Sequence, residues 1–291
     1  MSTLHTPSVW RNALCATSMA LALLGCASGP RPELPVQRFD DALRHASEKF
    51  AAGDLPKAAA AFAQAERIAA LYDRRALRTQ ALLSMGAVAA LREQDAEALQ
   101  AYTQALNEAQ GLSDTHAAGV ARAGVADAQR RMGDLAAAAQ SYGLALQPTA
   151  LPAGSVEQLQ ARMGQALVWH AQGERSAARD ALQALETQAR ASASPVLAGV
   201  LANQASLLRD QADIPAAIAK AQEALALDRL ASNPMALAAD LELLGQLQLA
   251  AQAPAEAQDS WERALRIVQT TGQGKAAQRL QQRLQAFSSR R

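Results

Sequence analysis

Aromatic side chains, cysteines and an excess of charge of either sign are all in short supply in this chain of 291 residues. Aromatics make up 3% of it. No apolar–polar alternation bounded by turn residues is present, so nothing suggests a sheet. Cys15 and Cys26 are the two cysteines. The first lies in an N-terminal leader and the second at its end, so the remaining chain makes no internal disulfide and rests on helix packing for stability. Lys and Arg number 28 against 27 Asp and Glu, a balance that gives no support to binding nucleic acid or an anionic surface.

Signs of chemistry are missing too. The four histidines, His5, His45, His116 and His170, are scattered, and no HExxH or Cys/His cluster exists to hold a metal. Gly272-Gln273-Gly274-Lys275 carries only part of a phosphate-loop pattern. Gln269 stands where its first glycine belongs, and Ala276 where Ser or Thr would meet magnesium. No GxSxG elbow appears. Asp40-Asp41, and Glu108 with Asp114, read as solvated charge, and Trp169-His170 as packing beside a surface imidazole. The chain is expected to be no enzyme and to use no cofactor or metal.

What the chain has is alanine, 73 of them, in a fixed register. Ala58, Ala98, Ala138, Ala178, Ala217 and Ala257 occupy equivalent settings, spaced by 40, 40, 40, 39 and 40 residues. Four residues after each stand Phe62, Tyr102, Tyr142, Leu182, Ala221 and Trp261. Seven after come Ala65, Ala105, Ala145, Leu185, Ala224 and Ala264. Twelve before lie Ala46, Gly86, Ala126, Ala166, Ala205 and Gly245. Offsets of four and seven put small, bulky and small residues on one helix face. The small residue upstream belongs to the preceding antiparallel helix, at the close crossing. Gly53, Gly133 and Gly173 suit left-handed helix ends, and Asp54, Asp134 and Asp213 suit the caps that follow. Pro56 and Pro215 fall in first turns.

This order of small residue, Gly-Asp turn, Ala, aromatic and Ala resembles the tetratricopeptide repeat. The likeness covers roughly residues 39–270 in six copies, with a period about six residues longer than the usual 34. Glu93-Gln94-Asp95 and Gln252-Ala253-Pro254 stand where Gly-Asp is expected, departures that touch those turns and not the array. The resemblance implies an all-α, right-handed α-solenoid of about six antiparallel helix pairs over residues 38–270. Pro148 to Ser155 is its longest break, where the two halves are expected to flex.

The N-terminus reads as a secretory signal over residues 1–25. It contains no acid, one basic residue (Arg11) and a 13-residue, mostly apolar stretch from Ala13 to Gly25, short of the about 20 that span a bilayer. Leu23-Leu24-Gly25-Cys26 resembles the lipobox of bacterial lipoproteins, which implies cleavage before Cys26 and acylation of that cysteine. Ala27 at the next position implies the outer membrane, with the protein facing the periplasm. Residues 26–37, holding Pro30, Pro32 and Pro35, read as an extended tether. At the other end, residues 271–291 are off-register and free of acid. Lys275, Arg279 and Arg283 recur every four residues beside a stripe of Leu280, Leu284 and Phe287, and Arg290 and Arg291 follow. That pattern reads as a capping helix whose basic face is solvated; a basic amphipathic helix touching anionic lipid or an acidic partner is the alternative.

In tetratricopeptide arrays the first helix of each pair lines the concave face. The resemblance therefore points to Asp127, Arg130, Arg131, Met163, His170, Asn203, Ser206, Arg209, Glu242 and Gln246 as groove residues. A mixed polar surface of that kind suits a protein or peptide partner. Met163 and Leu167 are apolar where the clamp for a C-terminal carboxylate found in some relatives would need polar groups. The expected function is that of an outer-membrane-anchored, periplasm-facing scaffold or assembly factor for a cell-envelope complex. The alternatives are an accessory protein that binds cell-wall polymer or a murein enzyme, and a cytoplasmic adaptor whose leader is not processed.

Overall fold

A computed structural model describes residues 34–289; Cys26, the leader and most of the tether lie outside them. Among the described residues the chain is all α, without a strand. The helices are α1 (Leu34–Ala51), α2 (Leu55–Leu71), α3 (Arg75–Leu91), α4 (Asp95–Gly111), α5 (Thr115–Arg131), α6 (Leu135–Ala145) and α7 (Val156–Ala171). They continue as α8 (Arg175–Ala191), α9 (Leu197–Asp210), α10 (Ile214–Leu230), α11 (Pro234–Ala250), α12 (Pro254–Thr270) and α13 (Gly274–Ser288). Consecutive helices form six antiparallel pairs, α1–α2 through α11–α12, each packed on the next, with α13 against α12. The first helix begins at Leu34, inside the stretch read as tether. Pro35 falls in its first turn, where a missing N–H costs nothing.

Local chemistry writes the helix ends. At nearly every turn the chain steps into the left-handed region and the next N–H reaches back to the last turn of the helix. Asp54 N donates to Lys49 O at 2.9 Å, Asp134 N to Gln129 O at 2.9 Å and Asp213 N to Leu208 O at 3.0 Å. These bonds satisfy carbonyls that a helix end otherwise leaves open. The same aspartates then cap the following helix, accepting from Lys57 N at 3.1 Å, Ala137 N at 3.1 Å and Ala216 N at 3.2 Å. Where glycine is missing the turn keeps its shape: Glu93, Ala212 and Gln252 adopt φ of 57°, 63° and 60°. A left-handed L-residue costs roughly 1–2 kcal/mol. Replacing Ala212 by Gly is therefore expected to raise stability by about 1 kcal/mol. A urea midpoint that falls instead would show that this turn is not under strain.

The marked register is the core. Ala58, Ala98, Ala138, Ala178, Ala217 and Ala257 are all fully buried, as are Phe62 and Leu182. Tyr102, Tyr142 and Trp261 are buried almost as completely. Bulk on one helix is matched by absence on the other. A Cβ added to Gly86 would stand 2.7 Å from the Tyr102 ring, and one on Gly245 would stand 2.5 Å from Cδ1 of Trp261. Helices can approach this closely only where one side contributes no side chain. The break at residues 146–155 folds inward and buries Ala150 and Leu151.

The two ends of the array meet. A Cβ on Gly272, which has φ +72°, would lie 2.6 Å from Cδ of Pro56, while one on Gly53, φ +76°, would lie 3.0 Å from Thr271 Cγ2. Met235 of α11 packs against the cluster of Ala46, Phe50 and Phe62 from the first pair. Lys275 Nζ donates to the Glu93 carbonyl at 2.6 Å. Arg279 pairs with Glu93 at 2.9 Å and with Glu242 at 3.0 Å. This corrects the expectation of a solvated basic face on the last helix. Its acidic partner is the chain itself, because the superhelix brings the α3–α4 turn round to α13.

Candidate functional site

The odd-numbered helices α1 to α9 form the inner layer, and they enclose a hollow of about 380 Å³. Its wall is built from Leu83, Val88, Val120, Ala123, Met163 and Leu167, with Phe50, Phe62, Tyr102 and Tyr142 between helices. The two tyrosines come from the outer layer. They reach the hollow because Gly124 and Gly164 leave room: a Cβ on Gly124 would meet the Tyr102 ring at 2.5 Å, and one on Gly164 would stand 2.8 Å from Cε1 of Tyr142 and closer still to its Cζ and hydroxyl. Burial pushes both phenols well above the usual tyrosine value, so neither ionises near neutrality. Over this apolar wall stand Gln80, Glu157, Gln160 and Asn203. Asn203 Nδ2 donates to Gly199 O at 2.8 Å, while the side chains of Gln80 and Gln160 make no hydrogen bond among the described residues.

The expected groove residues divide into two sets. Asp127, Arg130 and Asn203 line the hollow together with Met163 and Leu167. Arg131, His170, Ser206, Arg209, Glu242 and Gln246 do not. Most of them form charged links near the last turns of the inner helices. Arg130 pairs with Asp127 at 2.7 Å, and Arg131 binds both Asp127 and Asp95, the latter at 2.6 Å. His170 Nε2 lies 2.9 Å from Asp210. Arg209 holds Asp210 at 3.0 Å and Gln246 at 2.8 Å. Glu242 is taken by Arg279, and Ser206 Oγ turns back on Ala202 O at 3.3 Å. Three of these links, Arg131–Asp95, His170–Asp210 and Arg209–Gln246, join one pair to a neighbouring pair. Arg131 Nη2 and His170 Nδ1 remain buried without a partner among the described residues. Cys26 lies outside the described residues.

The expectation of a mixed polar surface with few aromatics is therefore corrected: the wall is largely apolar and four aromatic residues belong to it. Sequence reasoning placed Phe62, Tyr102 and Tyr142 as the bulky residues of a packing face, where they are indeed buried, and missed that they also line the hollow. A signal existed. Gly124 and Gly164 each stand 22 residues after a tyrosine, a second small position beside each ring. The arrangement offers apolar surface with side-chain amides at its edge. Among the described residues no group of three or more metal-ligating side chains occurs, and no helix is long and apolar enough to cross a membrane.

No protein-family model and no curated protein sequence matches the chain. Solved structures do. The apo form of RapI is 11% identical over 82% of this chain and 86% of its own, with a TM-score of 0.64. A Rap protein complexed with competence and sporulation factor is 12% identical, covering 90% and 77%, with a TM-score of 0.63. BtubC (BKLC) from P. vanneervenii reaches 19% identity over 82% and 93%, with a TM-score of 0.51. At these identities the likeness concerns the fold, a tetratricopeptide-like repeat solenoid.

Proposed function

We propose that this chain is a non-catalytic scaffold that holds an extended polypeptide segment in its inner hollow. The carrying observation is the pairing of an apolar, partly aromatic wall with the uncommitted amides of Gln80 and Gln160. An extended peptide needs both: pockets for alternate side chains, and donors with acceptors for its backbone. A side-chain amide supplies donor and acceptor from one group. Two fold neighbours support the reading, one complexed with competence and sporulation factor and one a conjugation regulator in complex with the Phr* peptide.

The sequence adds an address. Leu23-Leu24-Gly25-Cys26 followed by Ala27 favours a lipid-anchored protein on the periplasmic side of the outer membrane, tethered through residues 26–33 and serving a cell-envelope assembly. Mass spectrometry of the native chain tests this directly. An acylated N-terminal Cys26 is expected, and an intact Met1 without acyl mass would point to a cytoplasmic adaptor instead.

Site-specific photo-crosslinking tests the hollow. A photoreactive residue at Met163, on the wall, is expected to capture one discrete polypeptide in the native envelope. The same residue at Gln140, exposed on α6, is expected to capture none. Equal labelling from both sites would sink the reading. Capture of sacculi lacking protein would favour the cell-wall alternative.

A further inference from the structure

We propose a second binding site on the opposite side of the array: a slot between the outer helices α10 and α12 that takes a bulky apolar side chain flanked by carboxylates on a partner polypeptide. The starting point is a stitch between repeats. Between α8 and α10, Arg190 pairs with Glu223 at 2.6 Å and Lys220 pairs with Glu186 at 2.8 Å. Those pairs hold the fourth and fifth outer helices together.

One repeat further on, the stitch is reversed in sign. Arg190 stands 12 residues after Ala178, and Arg229 stands 12 after Ala217. Glu223 stands 6 after Ala217, but Arg263 stands 6 after Ala257. Two cations thus occupy the places where the neighbouring junction has an ion pair, and Arg266 adds a third. Arg263 has a partially exposed partner on its own helix, Asp259 at 3.2 Å. The guanidiniums of Arg229 and Arg266 have no partner among the described residues. Like charges placed this way work against the junction rather than for it.

Beneath them the outer helices leave a hollow of about 290 Å³, floored by Leu225, Leu237, Leu241 and Ile267. Among the described residues no carboxylate lines it. An apolar floor under three cations selects a ligand that is apolar at its tip and anionic at its shoulders. The volume is at or below the lower end for a whole small-molecule site. It suits one anchoring side chain of Leu or Phe size, with neighbouring Asp or Glu residues reaching the arginines. The partner is therefore an acidic, apolar-anchored polypeptide segment, and its site is independent of the inner hollow.

The test uses the full chain and a fluorescent, end-blocked peptide Glu-Glu-Leu-Phe-Glu-Glu. Arg263→Glu rebuilds the stitch seen one junction earlier, so it is expected to leave the urea midpoint unchanged or higher. The same change is expected to weaken peptide binding at least about tenfold. Peptides with Lys for Glu, or Ser for Leu and Phe, are expected to bind comparably weakly. The proposal is overturned if the wild-type chain does not bind the peptide, if Arg263→Glu binds it equally well, or if that variant is less stable than wild type.

Discussion

Replacing Trp261 by alanine is expected to destabilise the fold by about 3–5 kcal/mol, the range for removing a large buried aromatic. Trp261 is 1% exposed. Its ring meets Phe287 edge-on, centroids 5.9 Å apart at 80°, and Arg283 sits 5.3 Å from the ring centroid. Its Nε1 donates to Glu242 O at 3.2 Å. One side chain thus joins α12 to both α11 and α13, and the last helix has little else so deeply buried: of its residues Ala276 and Leu280 are in the core. Loss of the ring is expected to release α13 as well, which equilibrium urea unfolding with a broadened transition would report.

The partner glycine gives the sharper form of the test. In a helix interior, glycine to alanine normally gains up to about 1 kcal/mol. Gly245→Ala is expected to lose about 1–3 kcal/mol instead, by overpacking against the indole. In a Trp261→Ala background the same change is expected to stabilise, since the obstructing ring is gone. A reversal of sign between the two backgrounds isolates the contact from helix propensity. The same sign in both would mean that Gly245 is not where the indole lies.

That contact also shows how far sequence alone reaches. The period, the paired helices and the buried alanines could be read because each rests on local physics: a small residue at a crossing, an aspartate at a cap, a ring four residues on. The turns at Glu93 and Gln252 were less legible. Their left-handed conformation is imposed by the helices on either side, and the residues carry no mark of it. The inner hollow was half legible. Asp127, Arg130 and Asn203 follow from the resemblance, which implies that the first helix of each pair lines the inner side, but the inward edges of Tyr102 and Tyr142 depend on how closely adjacent pairs approach. The pairing of Arg279 with Glu93 was out of reach. Those residues are 186 positions apart and meet only because the curvature of the array brings α13 back to the second pair.

The stability of this protein is expected to fall as pH rises from about 4 to 9, through one pair of buried acids. Asp228 on α10 and Asp240 on α11 are 7% and 4% exposed and hydrogen-bonded to each other. Burial pushes Asp228 up to about 6, an upward push that the hydrogen bond from Asp240 partly offsets. Burial, then the neighbouring Asp228 charge, pushes Asp240 up to about 8. In the unfolded chain both titrate near 4. The folded state therefore keeps protons that the unfolded state has already released, and stability drops with pH until the pair is fully ionised. Below about pH 4 this contribution is present in full. Glu186 acts in the opposite sense. Burial pushes it up, but hydrogen bonds involving Lys220, Arg190 and Gln204 outweigh that and bring it down to about 2, so its contribution is lost as pH falls. The two slopes place the stability maximum near pH 4. Asp240→Asn keeps a hydrogen-bond donor for Asp228 but needs no proton. It is expected to flatten the alkaline slope and to gain on the order of 3 kcal/mol at pH 8.5, since a tenfold change in proton affinity is worth about 1.4 kcal/mol. Urea titrations at pH 5 and pH 8.5 decide the matter: an equal stability difference between variant and wild type at both values would mean that the two carboxyls do not share a proton.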